Sequence, residues 1–208
     1  MAHRSTGTFR TLHALRIRGF ATTDTLADMT GSPASDVEAH LEHWSTAELV
    51  QFRENGALWQ LTASGRARHL ELLREDVATV APNPDVPAAY RQFLSLNEQF
   101  KELCGAWQIV KFNGELNDHS DAGYDAAVLE NLAHLHAAAE PAVGFFGDVF
   151  DRMAPYGRRL ESVLIRIQDG ESNMFTGVMC GSYHDVWMEL HEDLMLTQGI
   201  DRAREGSF

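Results

Sequence analysis

The sequence predicts a mainly α-helical protein in two parts: an N-terminal part with three helices, a β-hairpin and one more helix, and an all-helical C-terminal part. Three observations lead to this prediction. Apolar residues recur at helical spacing along most of the 208 residues. Two β-prone runs flank the turn signal Asn55-Gly56. Three prolines between residues 82 and 87 interrupt the helical pattern, and we expect domains at 1–79 and 86–208 on either side of this linker.

The first three helices have recognisable starts and ends. An apolar stripe that ends near Gly19 indicates the first helix and consists of Phe9, Leu12, Leu15 and Phe20. Thr22 is placed to cap a second helix over residues 23–30, which a glycine turn follows. Pro33 opens a third helix, which runs to about residue 47 with an inward face of Val37, Leu41 and Trp44.

The hairpin and the next helix follow directly. The β-prone runs are residues 49–52 and 58–61, and Thr62 begins a further helix. The C-terminal part should then contain four or five packed helices, at about residues 86–109, 122–139, 142–153, 156–167 and 181–197. We expect a break before Pro141, because proline inside a helix removes a hydrogen bond and clashes with the preceding turn.

Composition indicates a folded protein. Hydrophobic residues make up 44% of the chain and charged residues 23%, which is close to the globular average. No apolar stretch approaches the roughly 20 residues of a membrane span, and none follows Arg4 and Arg10 as in a secretory signal. Two cysteines, Cys104 and Cys180, supply neither a disulfide framework nor a four-thiolate metal site. We therefore expect a reduced, cytoplasmic protein without a membrane partner.

The order helix, helix, helix, hairpin, helix is the layout of a winged helix-turn-helix, whose third helix can enter the major groove. Residues 7–75 resemble the winged-helix transcriptional regulators of bacteria, MarR-like in the broad sense. The resemblance rests on TLADMTGSPASDVEAHLEHWSTAELV, similar to their helix pair, and on ALWQLTASGRARH, similar to their wing exit. It covers about a third of the chain and implies binding to double-stranded DNA. Since one winged helix reads only a half-site, we expect a homodimer.

In the C-terminal part, NDHSDAGYDAAVLENLAHLH and SYHDVWMELHEDL resemble the helical region of an uncharacterised group of MarR-like actinobacterial regulators. This second resemblance indicates a family, but it does not indicate a particular effector. By analogy with such regulators, the C-terminal domain is expected to dimerise and is a candidate for binding a small-molecule effector.

The winged-helix layout indicates which residues should contact DNA. The start of the third helix would face base edges, with Ser32, Ser35, Asp36, Glu38 and His40. It has no Arg or Lys, so base reading would depend on Ser, on Glu with cytosine, on His, on water or on DNA shape. Phosphate contacts are expected near the hairpin, near its exit and near the first helix, from Arg53, Asn55, Arg66, Arg68, Arg16 and Arg18. For any single arginine, an ordinary solvated surface is an equally good interpretation.

Charge leaves a second interpretation open. The net charge is −13; residues 1–78 hold 8 basic and 10 acidic residues, and residues 79–208 hold 9 and 20, giving −2 and −11. The strongly acidic second part should lie away from DNA and help orient the first part toward it. The acidic third helix, however, is also compatible with a winged-helix adaptor that binds a protein and not DNA.

The C-terminal part offers candidates for an effector pocket: Trp107, His136, Phe146, His184, Trp187 and His191. His184 and His191 share a helix face, but two turns separate them by roughly 10.5 Å, too far to chelate one ion as an i, i+4 pair. The favoured interpretation is that both are partly buried core histidines, each hydrogen-bonded to a carboxylate on a neighbouring helix, while Asp185, Glu189 and Asp193 should project elsewhere. A third hypothesis is a metal-dependent helical protein that uses His119, His184 and His191. No phosphate loop, nucleophile elbow or zinc-protease motif is present, so we expect no enzyme, catalytic residue, cofactor or resident metal.

Overall fold

The computed structural model describes residues 4–110 and 114–200. The described chain is mainly helical and contains a small three-stranded antiparallel sheet. It forms two compact units. The first unit comprises the described residues of Met1–Pro82, Gly147–Tyr156 and Glu189–Phe208. The second unit comprises Asn83–Phe146 and Gly157–Met188.

The first change of unit falls at the predicted proline linker, after Pro82. The grouping nevertheless differs from a simple division at 79 and 86, because residues 147–156 and 189–200 belong with the N-terminal residues. Charged side chains of these two segments contact α1 and α4, as described below, and such contacts between distant parts of the chain leave no local sequence signal.

The first unit begins with α1 (Gly7–Arg18), β1 (Phe20–Ala21), α2 (Thr23–Thr30) and α3 (Ala34–Thr46). Thr22 caps α2 by accepting a hydrogen bond from the backbone N–H of Thr25 at 3.1 Å. Gly31 ends α2 with φ 64°, a left-handed conformation that glycine adopts without steric cost. The predicted span of α2 is thereby confirmed, and so are the approximate spans of α1 and α3.

Strands β2 (Val50–Arg53) and β3 (Leu58–Leu61) form the predicted hairpin, and α4 (Ala63–Ala78) follows. The sheet has the order β1-β3-β2, so the two-residue β1, which the sequence did not predict, pairs with β3. The helices and the sheet enclose one apolar core, in which the fully or nearly fully buried residues include Leu12, Leu15, Leu26, Val37, Leu41, Val50 and Leu61.

Close packing connects the hairpin to α4. Thr62 caps α4 by accepting from the N–H of Gly65 at 2.9 Å, and its hydroxyl donates to the carbonyl of Glu48 at 2.9 Å. A Cβ on Gly65 would lie only 1.9 Å from the carbonyl oxygen of Leu49, so the backbone of α4 touches the chain entering β2. Only glycine allows this approach.

The second unit contains α5 (Val86–Gln108), most of α6 (Ala122–Val149), most of α7 (Pro155–Gln168), the short α8 (Asn173–Thr176) and the start of α9 (Tyr183–Gln198). Aromatic side chains dominate its core; the ring centroids of Phe93 and Phe100 lie 5.1 and 4.9 Å from that of Trp187. The indole N–H of Trp187 donates to Asn97 Oδ1 at 2.9 Å, which satisfies the polar atom of a fully buried side chain.

The predicted break before Pro141 is wrong: α6 continues through this proline to Val149. A proline inside a helix costs about 3 kcal/mol because it forgoes one backbone hydrogen bond. Buried apolar residues stand on both sides of it, at Leu135, Ala139, Ala142 and Val143. Their burial needs one continuous helix and outweighs the local cost.

None of the helices within the described residues is both long enough and apolar enough to cross a membrane.

Candidate functional site

The outer face of α3 is exposed and has no cation. Its inner side is formed by the buried residues Val37, Leu41 and Trp44. At 100° per residue, the opposite side consists of Ser35, Ala39, Glu42 and Thr46, and all four are exposed. Among the predicted base-contacting residues, Ser35, Asp36 and Glu38 are exposed and Ser32 is half-buried. The face that a nucleic acid or a protein could reach is therefore neutral to acidic.

His40, another of the predicted base-contacting residues, is half-buried and contacts α1. Its Nδ1 lies 2.9 Å from the hydroxyl oxygen of Thr11 in α1, and its Cε1 lies only 2.9 Å from where a Cβ on Gly7 would stand. Burial lowers the pKa of His40 below its ordinary value, and nearby Asp36 partly opposes this shift. The ring therefore packs between α1 and α3. A side chain on the flank of a helix can point either toward the neighbouring helix or toward solvent.

The predicted phosphate contacts divide into two groups. Arg53, Asn55 and Arg66 are exposed at the hairpin and in the first turn of α4. Arg68 is also near the surface, but its guanidinium lies 2.8 Å from Glu71 and 3.5 Å from Glu75. Exposed pairs of this kind contribute little to stability and exchange readily with other partners.

Arg16 and Arg18 are committed to other contacts. Arg16 lies 3.4 Å from Glu192, and Arg18 lies 2.8 Å from Glu189 with its side chain only 11% exposed. Both carboxylates belong to the C-terminal part of α9, in the same unit as α1. The structure therefore does not support these two arginines as phosphate contacts.

Five of the six predicted effector-pocket residues belong to the second unit, where they contribute to its packed core. Trp107, Phe146 and Trp187 are at most 5% exposed. His136 Nδ1 lies 3.1 Å from the hydroxyl of Tyr183, and burial lowers the pKa of His136. The Nδ1 of His184 is buried without a hydrogen-bond partner among the described residues, and its ring stacks on Phe100. His191, the sixth residue, is buried in the first unit.

A metal-dependent protein receives no support from the geometry. His119 Nδ1 is 2.9 Å from Asp125 Oδ2, and its ring packs against Trp107 at 4.5 Å. Within residues 4–110 and 114–200, no three His, Cys, Asp or Glu side chains are placed to share an ion.

The carboxylates of α9, which were expected to project away from the face of His184 and His191, are buried as well. Asp185, Glu189 and Asp193 are all less than 9% exposed. Asp185 accepts backbone N–H groups of Met179 and Gly181 at 3.1 and 2.9 Å. Each of the three carboxylates is stabilised in the interior by donors or by an arginine, which is the condition for burying a charged group.

The most unusual polar cluster of the first unit surrounds Asp193. His69 Nε2 lies 2.8 Å from His13 Nδ1, and His13 Nε2 lies 2.9 Å from Asp193 Oδ1. Arg152 donates to Asp193 at 3.2 Å and to Asp76 at 3.2 Å. We call the four residues His13, His69, Arg152 and Asp193 the buried His–Asp–Arg cluster; none of them is more than 5% exposed.

The electrostatics of this cluster follow from its burial. Burial alone would raise the pKa of Asp193, but electrostatic interactions with His13 and Arg152 and the contacts with His13 and Thr197 hold it below its ordinary value. Burial, followed by electrostatic interactions with His13 and Arg16, lowers the pKa of His69 from 6.5 to about 3. A cavity of about 10 Å³, lined among others by His13, Arg152 and Asp193, adjoins the cluster and has room for about one water molecule.

Sequence reasoning missed this cluster. The sequence indicated it only through helical spacing: His13 lies between the buried Leu12 and Leu15, and His69 lies four residues after Gly65 and four before the buried Leu73, so both fall on inward helix faces.

Comparison of the chain with protein-family models, with curated proteins and with solved structures gives no match.

Proposed function

We propose that the protein is a DNA-binding transcriptional regulator that acts in the cytoplasm and binds double-stranded DNA as a homodimer through a winged helix in its first unit. The observation that carries the proposal is the order α1-β1-α2-α3-β2-β3-α4 together with the sheet order β1-β3-β2. In this order the exposed side of α3 corresponds to a recognition helix and the hairpin β2–β3 to a wing.

The exposed side chains support a specific mode of binding. Arg53 in the hairpin and Arg66 at the start of α4 are the predicted arginines free for phosphates. On α3, Ser35 can donate to or accept from a base edge, and Glu38 and Glu42 can accept from the amino group of cytosine. Affinity would then come from few phosphate contacts, so the salt dependence should be shallower than for an arginine-rich regulator.

Dimerisation and effector binding remain parts of the proposal with less support. A dimer is needed because one winged helix reads only a short half-site. A small-molecule effector would have to displace packed core residues of the second unit, such as Trp107 and Trp187, or bind elsewhere.

The test is fluorescence anisotropy with duplex DNA from upstream of the protein's own gene, at about 50 and about 200 mM salt and with competitor DNA of random sequence. We expect sequence-selective binding, and Arg53→Ala and Arg66→Ala should each weaken it and reduce the salt slope by about 1. Arg74→Ala is the matched control, since Arg74 is an exposed arginine two turns further along α4 and should behave as wild type. No binding by the folded protein at either salt would overturn the proposal.

A second candidate function is a winged-helix adaptor that binds a basic protein surface. The observation that favours it is the charge of α3, where Asp36, Glu38 and Glu42 are exposed and the helix holds no Arg or Lys. DNA would be repelled from this face and a cationic partner attracted. Glu42→Lys separates the two functions: it should strengthen non-specific DNA binding by a regulator, whereas an adaptor should still ignore DNA and lose its protein partner.

A further inference from the structure

The buried His–Asp–Arg cluster joins four segments of the first unit. His13 comes from α1, His69 from α4, Arg152 from the 3₁₀ helix Asp151–Met153, and Asp193 from the C-terminal part of α9. Arg152 also donates to Thr197, one turn further along α9. The cluster is therefore a buried polar contact that joins residues 189–198 of α9 and the 3₁₀ helix to α1 and α4, beside the pairs Arg16–Glu192 and Arg18–Glu189.

The contacts of the cluster are compatible with only one number of protons on the two imidazole rings. His13 Nε2 lies 2.9 Å from a carboxylate oxygen of Asp193, which can only accept; this contact favours the tautomer of a neutral His13 that carries its hydrogen on Nε2, and its Nδ1 then accepts from His69 Nε2. His69 Nδ1 is left as a bare acceptor, and it has no hydrogen-bond partner in the described part of the chain.

An added proton cannot be accommodated in either imidazole. If it binds His69, the new N–H is at Nδ1. If it binds His13, the bond between the rings reverses and His69 again carries a hydrogen on Nδ1. Both arrangements bury a donor that has no acceptor within the described part of the chain, and an unpaired buried donor is costly.

The surrounding charges also disfavour an added proton on the histidine pair. The groups that face His69 are His13 and Arg16 from α1, Arg152 from the 3₁₀ helix and Asp193 from α9. Three of these are basic, and the one carboxylate is already bound by His13 and Arg152. A second positive charge in this cluster is favourable only when water can reach it.

We propose that the chain of polar contacts His69–His13–Asp193 is an acid-sensitive lock, which holds residues 189–198 and the 3₁₀ helix against α1 and α4 and opens when the histidine pair takes up one proton. The proposal does not depend on DNA binding. The neighbouring pairs Arg16–Glu192 and Arg18–Glu189 join the same segment of α9 to α1 without a histidine. Imidazole is the side chain whose ordinary pKa lies nearest to neutral, so the histidine pair is the part of this contact that mild acid should affect.

The test is amide hydrogen exchange of the full chain between pH 7.5 and 4.5, corrected for the intrinsic pH dependence of exchange. For an opening linked to one proton with an open-state pKa near 6.5, protection of residues 189–198 should fall about tenfold by pH 5.5 and about a hundredfold by pH 4.5. Amides of α2 and α3 should lose far less. Unchanged protection of residues 189–198 over this range would overturn the proposal.

Two variants identify the titrating group. In His69→Gln, the glutamine amide lies near the position of the wild-type His69 Nε2, but it cannot take up a proton. This variant should abolish the pH dependence of protection at residues 189–198. His191→Gln is the matched comparison, because His191 is a buried histidine of α9 outside the chain of hydrogen bonds. It should keep the wild-type pH dependence, and the opposite pattern in these two variants would assign the effect to His191 and contradict the lock.

A measurement on the unaltered protein guards against misfolding of the variants. Nitrogen NMR of ¹⁵N-histidine protein should show His69 at pH 7 as a neutral ring with hydrogen on Nε2. As pH falls, its protonated form should appear only together with loss of protection in α9. An ordinary titration near pH 6.5, with α9 fully protected, would refute the proposal.

Discussion

His13 and His69 face each other across the contact between α1 and α4, with His13 Nδ1 2.8 Å from His69 Nε2 and the ring centroids 5.0 Å apart. The two residues are 56 positions apart in the chain. Beyond His13 stands Asp193, whose charge is balanced in the interior by Arg152. This contact makes the stability of the first unit sensitive to pH.

Global stability should fall in mild acid because of His69. Its folded-state pKa of about 3 lies below the ordinary 6.5, so its contribution is complete above pH 6.5 and is lost as pH falls from 6.5 toward 3. Between pH 7.5 and 5.5 the loss is about 1.4 kcal/mol for this one group. Urea unfolding at the two pH values measures it.

Other histidines with lowered pKa, His40 and His136, add to the same trend, so the informative quantity is the difference between wild type and His69→Gln. The variant should lose less free energy of unfolding on acidification than wild type does. Equal losses in the two proteins would show that His69 does not titrate as described.

Arg152→Met should destabilise the first unit by about 3–5 kcal/mol, because it leaves Asp193 and Asp76 as buried carboxylates without their common cation. Thermal or urea unfolding checks this. The control is Arg68→Ala, which removes the exposed pair with Glu71 and should leave the midpoint unchanged. A similar effect of both variants would contradict the importance assigned to burial.

Gly65→Ala should cost about 1–3 kcal/mol, since a methyl group there would meet the backbone of Leu49 at 1.9 Å and force α4 away from the hairpin. Gly105 in α5 offers the opposite case: a Cβ there meets nothing within 4 Å. Gly105→Ala should therefore stabilise the protein by up to about 1 kcal/mol through helix propensity. The predicted result is a pair of urea midpoints that move in opposite directions.

Asn97→Ala should destabilise the second unit by about 1–3 kcal/mol, because the buried indole N–H of Trp187 loses its acceptor. Asn131→Ala is a suitable comparison, as Asn131 is exposed on α6 and bonds only to the carbonyl of Ala127 on its own helix. That change should be neutral or slightly stabilising. Near-UV circular dichroism, compared between the variant and the wild type, would report whether the aromatic packing itself rearranges.

Elements with strong local signals were predictable. The cap at Thr22 and the turn at Gly31 mark α2 on both sides, and the hairpin follows from two β-prone runs around Asn55-Gly56. Pro141 led to the wrong prediction of a helix break, because the sequence shows the local cost of a proline inside a helix. The burial of Ala139 and Ala142 that outweighs this cost depends on neighbouring helices. Strand β1 has two residues and exists only because β3 pairs with it.

The candidate interface divides in the same way. The phase of α3 around Val37, Leu41 and Trp44 made the exposure of Ser35 and Glu38 predictable. The half-burial of His40 against α1 was not predictable, because a residue on the flank of a helix packs or projects according to what lies beside it. Arg16 and Arg18 appeared free for the same reason, as their partners in α9 are about 170 residues away.

By itself, the sequence determined the helices of the first unit, its hairpin and the mainly helical class, because caps, glycine turns and apolar periodicity act over a few neighbouring residues. Only the tertiary structure decided that His13, His69, Arg152 and Asp193 meet in the interior. A charged residue is buried when distant residues replace its water, and this compensation depends on three-dimensional proximity rather than on local pattern.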